Sequence, residues 1–263
     1  MTALSATVSA THTVFNQSVP LADVNLFTSN RPLQDAVALH APGLDKGGLT
    51  ALGAEMGSAA MQEHARLANT HKPVLHTHDR VGRRTDAVEF HPSYHALIGA
   101  ALRHGLHATP WSRTDAGAVH AHLERAAGFM LFTETEPSVL CPVSMSYAVT
   151  PALRGNPAVW ADWSAGLAST RYDPRLALFS EKSALTMGMG MTEKQGGSDV
   201  RANTTQAVAD GSDAWGARYR LTGHKWFFSA PMCDAFLCWP RRRAGSPASS
   251  CRACCRERAR AVP

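Results

Sequence analysis

The chain has 263 residues, enough to bury one large core or two ordinary ones. Its composition, 44% hydrophobic and 18% charged, excludes a disordered chain, and no run approaches the roughly 18 uninterrupted apolar residues of a membrane-spanning helix. The formal charge of +5 is confined to one end: Cys238–Pro263 holds seven Arg against Glu257 alone, so residues 1–237 are about neutral. The first twenty residues are Thr- and Ser-rich, without a basic block leading into an apolar one, and a cytoplasmic location is the expectation.

In chain order, the front reads as helical. Leu49, Leu52, Met56, Ala60 and Leu67 recur at three- and four-residue steps and predict one amphipathic helix over 46–69. His71, His76, His78, His91 and His95 crowd the short region that follows it. His76-Thr77-His78 could ligate a metal on a strand with a third ligand, but surface histidines are the simpler reading. Arg80, Arg83 and Arg84 are interleaved with Asp79, Asp86 and Glu89, which predicts a solvated loop. Pro92 opens a helix running to about His107. Asp115 is read as the N-cap of a helix with Val119, Leu123, Ala126 and Met130 on one face. Pro142 starts a short helix, and Asn156-Pro157 caps and opens one bearing Trp160, Trp163 and Leu167. About five helices are thus expected before residue 172.

The period then changes. Leu185, Met187, Met189 and Met191 alternate with Thr186, Gly188, Gly190 and Thr192, a two-residue repeat with one bulky and one small face. A strand face of only Gly and Thr would let a flat ligand approach the backbone. The turn Thr192–Asp199, with Gly196, Gly197 and Ser198, offers N–H groups and hydroxyls to oxygen ligands, or is simply a turn. Tyr219–Leu221, Thr222-Gly223 and Lys225–Ser229 read as a β-hairpin, and Trp226-Phe227-Phe228 is either a stacking surface or core.

Gly190-Met191-Thr192-Glu193-Lys194-Gln195-Gly196-Gly197-Ser198-Asp199-Val200-Arg201-Ala202 resembles, position for position, the signature of the acyl-CoA dehydrogenase family. Gly223-His224-Lys225-Trp226-Phe227-Phe228-Ser229 is similar to that family's second flavin-facing segment. Further segments resemble the family's AidB-type branch, associated with the adaptive response to alkylation: Thr11–Gln17, Arg66–Asn69, Phe90–Pro92, Cys141-Pro142 and Met189–Asp199.

The resemblance implies an α+β multidomain fold: an N-terminal helical domain over 1–182 and the start of a middle β-barrel-like domain over 183–237 that carries the flavin and acyl-CoA site. It implies FAD as cofactor and an acyl-CoA-like substrate, whose α,β-dehydrogenation passes hydride from Cβ to flavin N5. Met189, Gly190, Met191, Thr192, Gly197, Ser198, Phe227, Phe228 and Ser229 would bind the cofactor. Thr192 would bond the pyrimidine end, Ser229 would lie near N5, and Ser198 would lie where pyrophosphate and thioester meet the loop. Phe227 stands where most members have Trp.

In relatives the catalytic base and the tetramer contacts belong to a C-terminal helical domain. The chain is therefore expected to be truncated, to hold no catalytic residue of its own and to be inactive, the homotetramer belonging to the full-length parent. Glu193, beside the site, is discounted as a substitute base. The alternative function implied by the branch is a DNA-associated protective flavoprotein, with DNA as partner of the full-length parent.

Residues 238–263 do not fit the family. Their Arg, Ala, Cys, Ser, Pro and Gly composition reads as a frameshifted, disordered tail. Phosphate binding by its arginines, or metal binding by Cys251 and Cys254 with Cys255 and Cys238, are the functional alternatives.

Overall fold

The structure, a computed structural model, describes residues 11, 15–242 and 252–255. His12–Val14 of the first AidB-like segment, and Cys251 with most of the tail, lie outside the described residues.

Two helices that the periodicity does not reveal come first. The Asn25 side chain accepts from the N–H groups of Phe27 and Thr28 and starts α1, Leu26–Ser29. Asn30 accepts from the Leu33 N–H and, with Pro32 in the first turn, starts α2, Arg31–His40. The single helix expected over 46–69 is two, α3 (Gly47–Met56) and α4 (Ala59–Thr70). The break falls at Gly57, where a side chain would overlap the Val24 carbonyl, and Ser58 caps the second helix through the Met61 N–H. Beyond the break the buried face shifts to Met61 and Ala65, with Ala60 exposed, so the period read through Ala60 and Leu67 does not continue into α4.

Val74–His78 (β1) and Arg84–Glu89 (β2) form an antiparallel hairpin where a loop was expected. Asp79 Oδ1 accepts from the Val81 and Arg83 N–H groups at 2.9 Å each and so builds the turn. Next come α5 (Pro92–Arg103) and α6 (Thr109–Asp115). The former stops short of the expected His107 because the chain turns at Gly105, whose φ is +68°.

Asp115 ends α6 and pairs with Arg154; it does not cap the following helix. That helix, α7 (Ala121–Thr133), buries Ala121, Ala127, Gly128, Leu131 and Phe132, while Val119 and Met130 face solvent. The expected helix is there, but its phase differs. Gly128 decides the phase, because a Cβ on it would crowd Leu106 and Leu52. Then α8 (Leu140–Leu153) begins two residues before Pro142 and is not short, and α9 (Pro157–Ala168) opens on the Asn156 cap as expected.

The β portion follows with β3 (Met187–Gly190), β4 (Gln206–Asp213), β5 (Gly216–Thr222), β6 (Ala235–Cys238), β7 (Arg241–Arg242) and β8 (Arg252–Cys255). Two three-stranded sheets result: β3-β6-β8, parallel then antiparallel, and β5-β4-β7, with β4 antiparallel to β5 and parallel to β7. The expected hairpin over 219–229 is replaced. Strand β5 pairs backward with β4, and Lys225–Ser229 is not a strand. The run ending at Leu237 extends through Cys238, and Arg241–Arg242 and Arg252–Cys255, inside the segment read as disordered, join sheets.

One core lies among the helices, around Phe27, Leu49, Leu52, Leu97, Leu131 and Phe132. A second joins helices to sheet, with Val149, Trp163 and Leu167 of α8 and α9 packed on Leu185, Met187, Ala235 and Leu237. The Ser146 hydroxyl locks this contact by accepting from the Met187 N–H at 2.9 Å while donating to the Pro142 carbonyl.

Candidate functional site

The alternation over 185–192 places Met187 in the core, as its bulky face requires. The small face is not open at its start. A Cβ on Gly188 would overlap the ring of Phe236 on β6, and one on Gly190 would overlap Phe228. The glycines therefore admit aromatic rings from this chain, and the two rings lie 4.4 Å apart between centroids. Met189 is half-buried and Gly190 buried, whereas Met191 emerges to solvent.

Beyond Met191 the chain turns tightly, Glu193 and Gly196 exchanging N–H···O=C bonds of 3.2 and 3.1 Å. Gly197 packs over Thr192, where a Cβ would lie 3.1 Å from the threonine Oγ1. Gly197 and Ser198 are exposed. The second motif reaches this turn through its backbone, the Trp226 N–H donating to the Thr192 carbonyl at 2.9 Å. That bond, absent from any hairpin reading, explains why Lys225–Ser229 leaves the sheet.

Phe227 is 78% exposed and sits at φ +51°, in the left-handed region that an aromatic side chain rarely occupies. The Ser229 hydroxyl donates to the Phe227 carbonyl at 3.2 Å, bracing the turn. Trp226, partly exposed, lies under the Lys194 ammonium, 5.5 Å from its ring centroid. Met191, Thr192, Ser198, Phe227 and Ser229 thus reach a surface, while Met189, Gly190 and Phe228 pack behind it.

Glu193 is turned inward and 1% exposed. Its Oε1 accepts from the Thr205 N–H and the Lys225 ammonium, both at 3.0 Å. Its Oε2 accepts from Gln195 at 2.7 Å and from the Thr204 N–H and hydroxyl at 2.6 and 2.9 Å. Burial alone would raise the pKa of this carboxyl; the Thr204, Thr205 and Gln195 donors hold it far below the usual range. Lys225 spends its other donors on the carbonyls of Trp239 at 3.1 Å and Met191 at 3.4 Å. Asn203, fully buried, donates to the same Met191 carbonyl at 2.8 Å.

The sequence does not single out Lys225 or Asn203. For Lys225 a signal existed, a charged residue inside an otherwise small and aromatic motif; for Asn203 there was none. A second buried pair, Lys182–Asp234 at 2.6 Å, is equally unannounced. Asp234 Oδ2 accepts from the Thr186 N–H at 2.7 Å and ties the entry of β3 to β6. Burial raises the Asp234 carboxyl above its ordinary range despite Lys182.

Other sequence candidates do not converge. His76 pairs with Glu89 on the exposed hairpin and His78 bonds Thr77; among the described residues no three His, Cys, Asp or Glu side chains are grouped to hold a metal ion. No described helix is long and apolar enough to cross a membrane. A cavity of about 460 Å³ opens on the helical part beside Leu44, Arg113, His120 and Glu124, and none of the nine cofactor candidates lines it.

Comparison with known proteins gives the same assignment as the motifs. The family described as Adaptive response protein AidB N-terminal domain matches residues 16–174. The chain is 45% identical over 230 residues to "Putative acyl-CoA dehydrogenase AidB" of Escherichia coli (strain K12), covering 86% of this chain and 41% of that protein. It is 30% identical over 177 residues to Acyl-CoA dehydrogenase family member 11 of Caenorhabditis elegans, covering 66% of this chain and 27% of that protein.

Among solved structures, the apo form of Bd2924 superimposes with a TM-score of 0.75 at 27% identity, over 89% of this chain and 45% of that one. The crystal structure of Caenorhabditis elegans ACDH-11 in complex with C11-CoA superimposes with a TM-score of 0.69 at 22% identity, over 96% and 42%. The chain spans less than half the length of each of these relatives. It belongs to the acyl-CoA dehydrogenase family, in the AidB branch.

Proposed function

We propose that the surface of Met191, Thr192, Gly197, Ser198, Phe227 and Ser229 binds the flavin of FAD, in an acyl-CoA dehydrogenase-type oxidoreductase acting on an acyl-CoA thioester, with Met189, Gly190 and Phe228 packed behind it. In this reading the chain comprises a largely helical unit over 1–182, interrupted by the β1–β2 hairpin, and a β unit that opens at 183 and continues beyond the expected end at 237 into Cys238 and the later strands. The observation that carries the reading is Phe227: its aromatic ring is 78% exposed, leaving apolar surface in water that a planar ligand would cover, and its backbone is held at φ +51°, a strained conformation of the kind found at ligand-binding positions. Its neighbours fit the same group. Met191 is exposed as well, and Thr192 and Ser229 supply hydroxyls that can meet the polar edge of a flat ring while Phe227 excludes water from its face.

Bound FAD would supply the hydride acceptor. The chain's own residues would bind and orient it, and among the described residues beside the site none is placed to supply the base. Glu193 sits beside the site, but its two oxygens are taken by five donors and its carboxyl resists protonation, so it cannot take up a proton from a substrate.

The test is titration of FAD into the purified chain, read by flavin fluorescence and by the visible flavin band. Saturable binding, weakened about tenfold by Phe227→Ala, is the expected result; a wild-type chain that leaves both signals unchanged overturns the reading. Acyl-CoA added to the loaded chain should leave the flavin oxidised. Bleaching would overturn the absence of a base.

A further inference from the structure

We infer that the buried Glu193–Lys225 pair is the positioning element of this site, fixing the Met191–Thr192 edge against the Trp226–Ser229 edge so that the surface is formed before the ligand arrives. The inference rests on the flavin reading and goes beyond it by assigning two residues that face away from the ligand. The two edges do not belong to paired strands, so no β-ladder sets their separation. One backbone bond, from Trp226 to Thr192, joins them directly, and the Lys225 ammonium does the rest. It lies one residue before Trp226 and binds the Met191 carbonyl on one edge, Glu193 behind it and the Trp239 carbonyl beyond.

Glu193 is itself immobilised by Thr204, Thr205 and Gln195, so the ammonium is anchored to a fixed point. An ion pair this deeply buried, with side chains 10% and 1% exposed, gains little stability over apolar residues of the same volume, because desolvation offsets its attraction. Its directed bonds give what apolar packing cannot: a single register between two loops.

Lys225→Met, the double variant Glu193→Gln/Lys225→Met and the remote Asn156→Ala separate positioning from general stability. Asn156 caps α9 and donates to the Trp215 carbonyl at 2.9 Å, so its loss destabilises the chain away from the site. The double variant leaves no uncompensated buried charge and serves if the single one does not fold. Amide hydrogen exchange in the absence of flavin is expected to show the Trp226 N–H exchanging at least about tenfold faster in the Lys225 variants, with Ala207 and Ala209 of β4 unchanged. FAD affinity is expected to fall about tenfold in the Lys225 variants and to stay unchanged in Asn156→Ala. The inference is overturned if Trp226 exchange matches wild type, or if Asn156→Ala weakens FAD as much. A wild-type chain that does not bind FAD sinks the flavin reading alone, and the exchange measurement still decides the clamp.

Discussion

Glu193 and Lys225, 32 residues apart in sequence, meet at 3.0 Å with both side chains nearly removed from solvent. The pair gathers Thr204, Thr205, Gln195 and the carbonyls of Met191 and Trp239 into one polar network beneath the candidate site. Such a network is costly when half satisfied, so its response to acid and to substitution reports whether the β portion is formed as described.

Acid should act on this network late. The Glu193 carboxyl is held below its ordinary value of 4.5, and Asp173 is held below its 3.8, chiefly by Arg175. A depressed carboxyl pKa contributes stability that is present above the unfolded-state value and lost as pH falls toward the folded one. The urea midpoint should therefore fall steeply below about pH 4.5, and Glu193→Gln should flatten that part of the profile. Equal slopes in the two proteins would contradict the network.

A second acid response lies at higher pH. His107 is fully buried, its Nε2 facing the Ser169 carbonyl at 3.0 Å, and burial brings its pKa from 6.5 down to about 4. The folded chain thus binds this proton less readily than the unfolded one. Stability is complete above pH 6.5 and declines from there toward pH 4, by roughly 3 kcal/mol in all. His107→Gln, which keeps a donor for Ser169, should lose this decline. Urea midpoints at pH 7.5 and 5 in both proteins check it.

Gly190→Ala should cost about 1–3 kcal/mol, because the added methyl overlaps the Phe228 ring. The double variant with Phe228→Leu should recover part of that loss, as a contact effect and not a propensity effect would. Thermal melts of Gly190→Ala, Phe228→Leu and the double variant decide between the two.

Gly57→Ala should cost more, about 3 kcal/mol or more. Its methyl meets the Val24 backbone carbonyl, which cannot rotate aside as a ring can. A Tm within about two degrees of wild type would show that α3 and α4 can join without Val24 at the break.

The sequence carried the features whose causes are local. The Asn156 cap with Pro157 announced α9, the alternation from Leu185 announced β3, and the two motifs announced the family. What it did not carry are relations in which a distant residue fills the space. Val24 breaks the helix at Gly57, and Leu106 sets the phase of α7 at Gly128. Phe228 and Phe236 cover the glycine face that composition left open. Trp226 bonds Thr192 instead of closing a hairpin, and Lys225 finds Glu193. Periodicity and capping depend on neighbours within a few residues along the chain, so they are written there. Which side chain occupies the space above a glycine, or which carboxylate takes a buried ammonium, is settled only when the elements pack, since both partners must be desolvated together to meet.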